Sequence, residues 1–196
     1  MTKLTNANTR PRGTLRIIAG EWRSRVLDFD TTSGVRPTTD RVRETLFNWL
    51  QHATPGATCL DLFAGSGALG IEALSRGARE LTFVERSHCL ANMLRTRIDL
   101  LEAQDRGQIF QSDAQSYLQT CNKQFDIVFL DPPFSTDIID NVCAALEQRQ
   151  LLTNNAYIYI ETSRSGEPPV LPSNWVVKRT KIAGQVSYQL AQRITT

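Results

Sequence analysis

The sequence predicts an α/β protein whose core is a doubly wound, mostly parallel sheet preceded by a small β-hairpin. Three features carry that expectation. Short apolar strands alternate with helical segments from residue 57 onward, a glycine-rich run follows the first of those strands, and the C-terminal segment breaks the alternation with two adjoining β-rich runs.

The elements follow in chain order. TLRIIAG and RVLDFD, separated by EWRS, read as a β-hairpin with Arg side chains along it. After the turn-rich TTSGVRPTTD, the segment RVRETLFNWLQHA sets Val42, Leu46, Trp49, Leu50 and Ala53 at helical spacing. Thr38, Thr39 and Asp40 offer N-cap oxygens just after Pro37, and PGAT closes the helix. Thr58 to Phe63 predicts a strand, Ala68 to Arg76 a helix stopped by Gly77, LTFVE a strand and residues 87–104 a helix. QIFQS, FDIVFL and YIYIE are further strands, with helices over 114–121 and 136–149 between them. Apolar strands linked by helices form a parallel sheet covered on both faces. In WVVKRTKIAGQVSYQLAQRI two β-rich runs meet at Ala183-Gly184-Gln185 with no room for a crossover helix, so they are antiparallel and end the sheet as a hairpin. At 196 residues the chain divides into a basic tail and hairpin, 1–35, and a main domain, 36–196.

With 41% hydrophobic and 21% charged residues the composition is that of an ordinary globular protein. No run approaches the roughly 20 apolar residues of a membrane span. MTKLTNANTRPRGTLR lacks the apolar core of a signal peptide, which places the chain in the cytoplasm, where a monomer is expected. Cys59, Cys89, Cys121 and Cys143 form no C-x-x-C pair and have only His52 and His88 beside them, so no metal site is expected and the thiols read as reduced and mostly packed. Both histidines read as helix-end or surface residues. The net charge of +2 is uneven: residues 1–25 hold Lys3, Arg10, Arg12, Arg16, Arg23 and Arg25 against Glu21, a local +5 that leaves −3 for the rest. A cationic end on a faintly acidic body suits either a phosphate-bearing partner or a solvated tail.

Gly65-Ser66-Gly67-Ala68-Leu69-Gly70 has the spacing of a dinucleotide-binding loop, where a helix start attracts negative groups. Asp61 argues against a pyrophosphate. A carboxylate facing the loop repels phosphate and favours an ammonium or sulfonium group, so a nucleoside carrying positive charge, S-adenosylmethionine, fits better. Glu85 closes the second strand, where a carboxylate accepts from ribose hydroxyls, a feature that serves either ligand. Asp113 is placed to accept from an adenine amino group or to cap the following helix.

Asp131-Pro132-Pro133-Phe134 directly follows FDIVFL, beside the glycine loop in such a sheet. Consecutive prolines stop the ladder and stiffen the turn. The Asp131 carboxylate and the Pro132 carbonyl then form two acceptors for the two hydrogens of an exocyclic amine, and Phe134 offers a face on which an unstacked base can lie. A strand-ending turn with a capping Asp and a core Phe is the competing reading of this tetrapeptide alone.

LDLFAGSGALGIEAL, D-P-P-F and RPTTDRVRETLFNWL together resemble the bacterial 16S ribosomal RNA guanine-N(2) methyltransferase family, of the small-subunit methyltransferase D type, over nearly the whole chain. The first two motifs are shared by amino-group methyltransferases at large, while RPTTDRVRETLFN is more specific to the family. The resemblance implies the Rossmann-like seven-stranded class I S-adenosylmethionine-dependent methyltransferase sheet with its last strand antiparallel. It implies a catalytic set of Asp131, Pro132, Pro133 and Phe134, with Asp61, Phe63, Gly65, Gly67, Glu85, Asp113 and Arg41 on the cofactor. Arg41 or Arg43 offers a cation to the methionine carboxylate or to RNA phosphate. Arg10, Arg12, Arg16, Arg23 and Arg25 are expected to contact RNA, the partner being 16S ribosomal RNA within the small subunit. The alternatives are a DNA adenine or protein glutamine methyltransferase, a non-catalytic RNA-binding protein, and a dinucleotide oxidoreductase. Missing target-recognition segments weigh against the first, the basic hairpin against the second, the intact tetrapeptide against the third and Asp61 against the last.

Overall fold

The computed structural model describes residues 12–30, 39–133 and 136–194. Strands β1 (Arg12–Arg16) and β2 (Val26–Asp30) pair antiparallel with Leu15 opposite Leu27. Helix α1 (Asp40–Trp49) follows, then β3 (Thr58–Asp61), α2 (Ala68–Ser75), β4 (Glu80–Glu85), α3 (His88–Leu100), β5 (Gly107–Gln111), α4 (Ala114–Thr120), β6 (Phe125–Leu130), α5 (Thr136–Gln148), β7 (Leu152–Ser163), β8 (Trp175–Ala183) and β9 (Val186–Arg193). The main sheet has seven strands in the order β5-β4-β3-β6-β7-β9-β8; β3, β4, β5, β6 and β7 run parallel, and β9 is antiparallel to both of its neighbours. The α/β alternation and the closing hairpin therefore stand as the sequence implied.

Boundaries moved where tertiary packing decides. The first parallel strand stops at Asp61, because residues 62 and 63 already turn toward the glycine loop. The strand expected as YIYIE is longer, Leu152–Ser163, since β9 pairs with its far end through Ser163 opposite Val186. Thr39 occupies the N-cap of α1 in extended conformation but makes no side-chain cap bond there; its carbonyl accepts from the Val42 and Arg43 amides. Thr38 lies outside the described residues.

Period-2 alternation sorts each strand between two cores. On one face Cys59, Phe83, Ile127, Phe129, Tyr159 and Leu190 pack under α1, α2 and α3 together with the hairpin; on the other Leu60, Val128, Leu130, Ile158 and Ile160 pack under α4 and α5. The hairpin thus shares a core with the main domain: Leu15, Ile17, Trp22 and Leu27 are all buried in the first cluster. Its connecting turn is fixed to α2. Gly20 stands at φ +87°, and a Cβ there would lie 1.8 Å from the Ser75 carbonyl oxygen, so a side chain would force the turn off the helix. Ser75 Oγ donates to the Ala19 carbonyl at 2.6 Å and accepts from the Trp22 amide at 3.0 Å.

Candidate active site

The carboxyl ends of β4, β3, β6 and β7 lie side by side, and each carries an acid on the α1–α3 face. Register puts Asp61 beside Phe83 and Phe129, and Phe129 beside Tyr159. Glu85, Asp131 and Glu161 each stand two residues further along the same face. Neighbouring strands are about 4.8 Å apart, so these acids stand in one row along the carboxyl edge of the sheet, where the crevice of an open α/β fold lies.

Asp61 is 2% exposed, and its Oδ2 accepts from the Gly70 amide at 3.1 Å across the glycine loop. Burial pushes its pKa up to about 7, against the pull of the Gly70 amide, with the charges of Asp131 and Glu85 adding to the rise. Glu85 grips the same loop: Oε2 accepts from the Gly65 amide at 2.8 Å and Oε1 from the Ser87 amide at 2.7 Å. The loop needs its glycines, since Gly67, the N-cap of α2, sits in the left-handed region at φ +77°. Phe63, half-buried, leads into it from β3.

The loop is also braced from α3. The Arg97 guanidinium, 2% exposed, donates to the Ser66 carbonyl and, at 3.1 Å, to the Asp28 carbonyl of β2; burial lowers its pKa to about 10. This residue joins the hairpin to the glycine loop, whereas in the sequence it reads as one more polar position of a helix.

Asp131 follows β6 half-exposed, with Pro132 buried and Pro133 exposed after it. Its charge acts on Asp61, Glu161 and Tyr159, which puts it at the centre of the crevice. Phe134 lies outside the described residues. Glu161, invisible in the sequence as an ordinary alternating strand residue, is 9% exposed and accepts from the Tyr159 hydroxyl at 2.8 Å. Burial first and then the Asp131 charge raise the Glu161 pKa.

Asp113 caps α4, accepting from the Ser116 amide at 2.9 Å, a contact that holds its carboxyl below the usual range. Arg41 is exposed and lines a cavity of about 440 Å³ with Thr45, Lys181, Ala183, Gly184 and Tyr188, against the β8–β9 turn. Since Tyr188 pairs with Glu161 in the sheet, this cavity adjoins the outer end of the acidic crevice. Arg43, by contrast, does not offer the cation its sequence position suggests: it is 1% exposed and committed to Asp40 at 2.6 Å, the Arg16 carbonyl at 2.7 Å and Glu72 at 3.5 Å. No surface of it remains for a cofactor or RNA. The reason is helix phase, because Phe47, four residues on, is fully buried and carries Arg43 inward with it.

On the hairpin, Arg16, Arg23 and Arg25 are exposed, and Arg25 donates to the Leu100 carbonyl at 2.7 Å. Arg10 and the Arg12 side chain lie outside the described residues. His52 and His88 are surface residues; Cys59, Cys121 and Cys143 are buried free thiols and Cys89 an exposed one. Among the described residues no group of His, Cys, Asp and Glu is placed to hold a metal, and no helix is long and apolar enough to cross a membrane.

This arrangement has relatives. A ribosomal RNA small subunit methyltransferase D from Escherichia coli K12 is 44% identical over 181 residues, 92% of this chain and 91% of that protein. The protein of the same name from Haemophilus influenzae is 41% identical over 195 residues, 98% of this chain and 100% of that one. Among solved structures, a putative methyltransferase from Escherichia coli superposes with a TM-score of 0.86 at 42% identity, covering 93% of this chain and 99% of its own. A putative SAM-dependent methyltransferase from Streptococcus mutans shares the fold at a TM-score of 0.65 and 18% identity, over 81% of this chain and 50% of that one. The family model described as Conserved hypothetical protein 95 matches residues 15–192, and with these identities the chain belongs to that family, the one that holds the ribosomal RNA small subunit methyltransferases D.

Proposed function

We propose that this protein methylates ribosomal RNA, transferring a methyl group to the exocyclic amino nitrogen of one guanine of 16S RNA in the small subunit. The observation that carries the reading is the placement of Asp131-Pro132 at the end of β6, next to the strand whose glycine loop is gripped by Asp61 and Glu85. S-adenosyl-L-methionine supplies the methyl group. The residues present fit it. Asp61 is a buried carboxylate facing the loop with no cation against it among the described residues, which suits an ammonium or sulfonium, and Glu85 ends β4 where a ribose would be held. Phe63, Gly65 and Gly67 shape the loop, and Asp113, which caps α4, is proposed to accept from an adenine amino group as well.

The Asp131 carboxylate and Pro132 carbonyl take the two amine hydrogens and turn the nitrogen lone pair toward the donor. Pro133 stiffens the turn and Phe134 stacks on the flipped base. The alkylated nitrogen is acidic and sheds its proton without a strong base. The cations expected on RNA phosphates are Arg10, Arg12, Arg16, Arg23 and Arg25 of the 1–35 segment, and Arg41 joins them with Lys181 across the cavity by the β8–β9 turn.

The test is transfer of radiolabel from methyl-labelled S-adenosylmethionine to small subunits purified from cells lacking this gene, beside free 16S RNA, large subunits, DNA and bulk protein. Label in a methylguanosine of the small subunit is expected. Asp131→Ala should reduce it at least a thousandfold, with cofactor affinity unchanged by calorimetric titration. Label confined to DNA or protein overturns the substrate, and equal loss of binding and transfer moves Asp131 into the cofactor site.

A further inference from the structure

The acidic crevice contains one acid more than the donor and the target amine require. Asp61 and Glu85 grip the glycine loop, and Asp131 with Pro132 provides two acceptors for the amine. Glu161 is left, level with Asp131 on the adjacent strand, nine-tenths buried, its carboxylate fixed by the Tyr159 hydroxyl at 2.8 Å. Two acceptor groups side by side call for two donors side by side. The Watson–Crick edge of guanine has them, since the N1–H adjoins the N2 amine, whereas adenine has an acceptor, N1, next to its amine.

We propose that Glu161 is the base-selecting residue of the site, accepting the N1–H of the target guanine while Asp131 and Pro132 hold its N2 amine. This rests on the reading of the protein as a guanine amino-group methyltransferase. The geometry also limits the alternatives for Glu161. It is too deeply placed to meet the RNA backbone, and unlike Glu72, the buried acid of α2, it has no arginine against it among the described residues. Tyr159 below it and Tyr188 opposite it in β9 flank it with aromatic rings whose centroids are 6.2 Å apart, and the Tyr159 hydroxyl holds the carboxylate in place. A site built around a buried acceptor rejects a base that lacks the matching N–H far more strongly than one that merely loses apolar contact.

The experiment compares two acceptors, small subunits reconstituted with guanine or with 2-aminopurine at the nucleotide that receives the methyl group. 2-Aminopurine keeps the amine but replaces N1–H by an acceptor nitrogen. The wild-type enzyme should prefer guanine by at least about a hundredfold in kcat/KM. Glu161→Gln keeps the volume and an acceptor for Tyr159 but can turn its amide N–H toward N1. It should cut guanine transfer about ten- to a hundredfold, improve 2-aminopurine, and shrink the preference below about tenfold, with cofactor affinity and Tm unchanged. If both acceptors fall together and the preference persists, Glu161 is merely structural and the inference is overturned. It is overturned equally if the wild type does not discriminate. Absence of wild-type transfer to guanine subunits instead removes the underlying functional reading, so the two failures are distinct.

Discussion

Glu72 and Asp61 lie on consecutive elements and are almost equally buried, at 0% and 2% exposure, yet their surroundings treat them in opposite ways. Glu72 receives the Arg76 Nε at 2.7 Å, the Arg43 guanidinium at 3.5 Å and the Ile18 and Ala19 amides at 2.9 and 3.1 Å. It is a fully compensated buried anion that fastens the hairpin to α2. Asp61 has the Gly70 and Phe63 amides and two neighbouring acids, and burial raises its pKa to about 7. One carboxylate is neutralised by neighbouring arginines; the other has no cation against it among the described residues and is open to one from a ligand. Burial alone therefore does not distinguish an architectural acid from a binding one, and the partner set does.

The largest expected effect attacks the architectural side. Glu72→Ala strips the buried Arg43 of one of its two acids, takes the carboxylate from Arg76 and frees two hairpin amides. Breaking such a network from one side costs about 3–5 kcal/mol, and the melting temperature should drop by roughly 10 °C. Asp61→Asn keeps an oxygen for the Gly70 amide and removes an uncompensated charge. Its melting temperature at pH 8 should hold or rise by a few degrees, while cofactor affinity falls at least about tenfold. Similar thermal losses in both variants would break the comparison.

The same contrast sets a pH dependence. In the folded protein the Asp61 carboxyl keeps its proton up to about 7, whereas in the unfolded chain it loses it near about 3.9. Between those values the folded state binds more protons, so stability declines as pH rises through the window, by a few kcal/mol for this group at full effect. Denaturant midpoints of the apo-protein at pH 4.5, 6 and 8 should fall in that order by more in the wild type than in Asp61→Asn. Parallel profiles would mean that Asp61 is ionised at ordinary acidity in the folded chain. A third, smaller effect concerns the brace. Arg97→Met removes charged donors to Ser66 and Asp28, with an expected stability loss of about 1.5–3 kcal/mol and a several-fold weaker cofactor.

Much of this architecture was readable from the chain, and the unreadable part has a physical pattern. Strands such as FDIVFL and the turns at Gly65-Ser66-Gly67 and Asp131-Pro132-Pro133 declare themselves because apolar runs, glycine and proline restrict the backbone locally. The paired roles of Asp61 and Glu85 at the loop follow from their position at strand ends. Glu161 could not be found that way, since alternation in YIYIE marks it as a residue of one face without saying that pairing with β9 sets Tyr188 beside it on that face. The two arginines of RVRE differ only in helix phase. Counting Phe47 with Val42, Leu46 and Leu50 widens the inward stripe to include Arg43 and leaves Arg41 outside, a signal that a stripe drawn through Trp49 and Ala53 misses. Arg97 and Glu72 depend on where the hairpin docks, which no local pattern encodes.

The smallest effect concerns the exposed cations of the hairpin, the converse of its buried anchor. Arg23 lies on a turn that is immobilised at both ends: Trp22 is buried beneath the Arg106 guanidinium, 5.2 Å from its ring, and Arg25 touches the Leu100 carbonyl of α3. Removing the exposed Arg23 side chain should leave the fold within about 0.5 kcal/mol of the wild type. If that guanidinium meets an RNA phosphate, its loss lowers the slope of log affinity against log salt by roughly 0.7–0.9 for one contact, measured by filter binding to small subunits at several salt concentrations. Arg41→Ala, at the cavity shared with Lys181, gives the matching measurement at the other end of the crevice. A slope that falls for both variants means RNA spans the site from the hairpin to the β8–β9 turn. A slope that falls only for Arg41→Ala confines the phosphate contacts to the side of Glu161 and leaves the hairpin as a structural clamp, anchored by Glu72 and coupled to the glycine loop by Arg97.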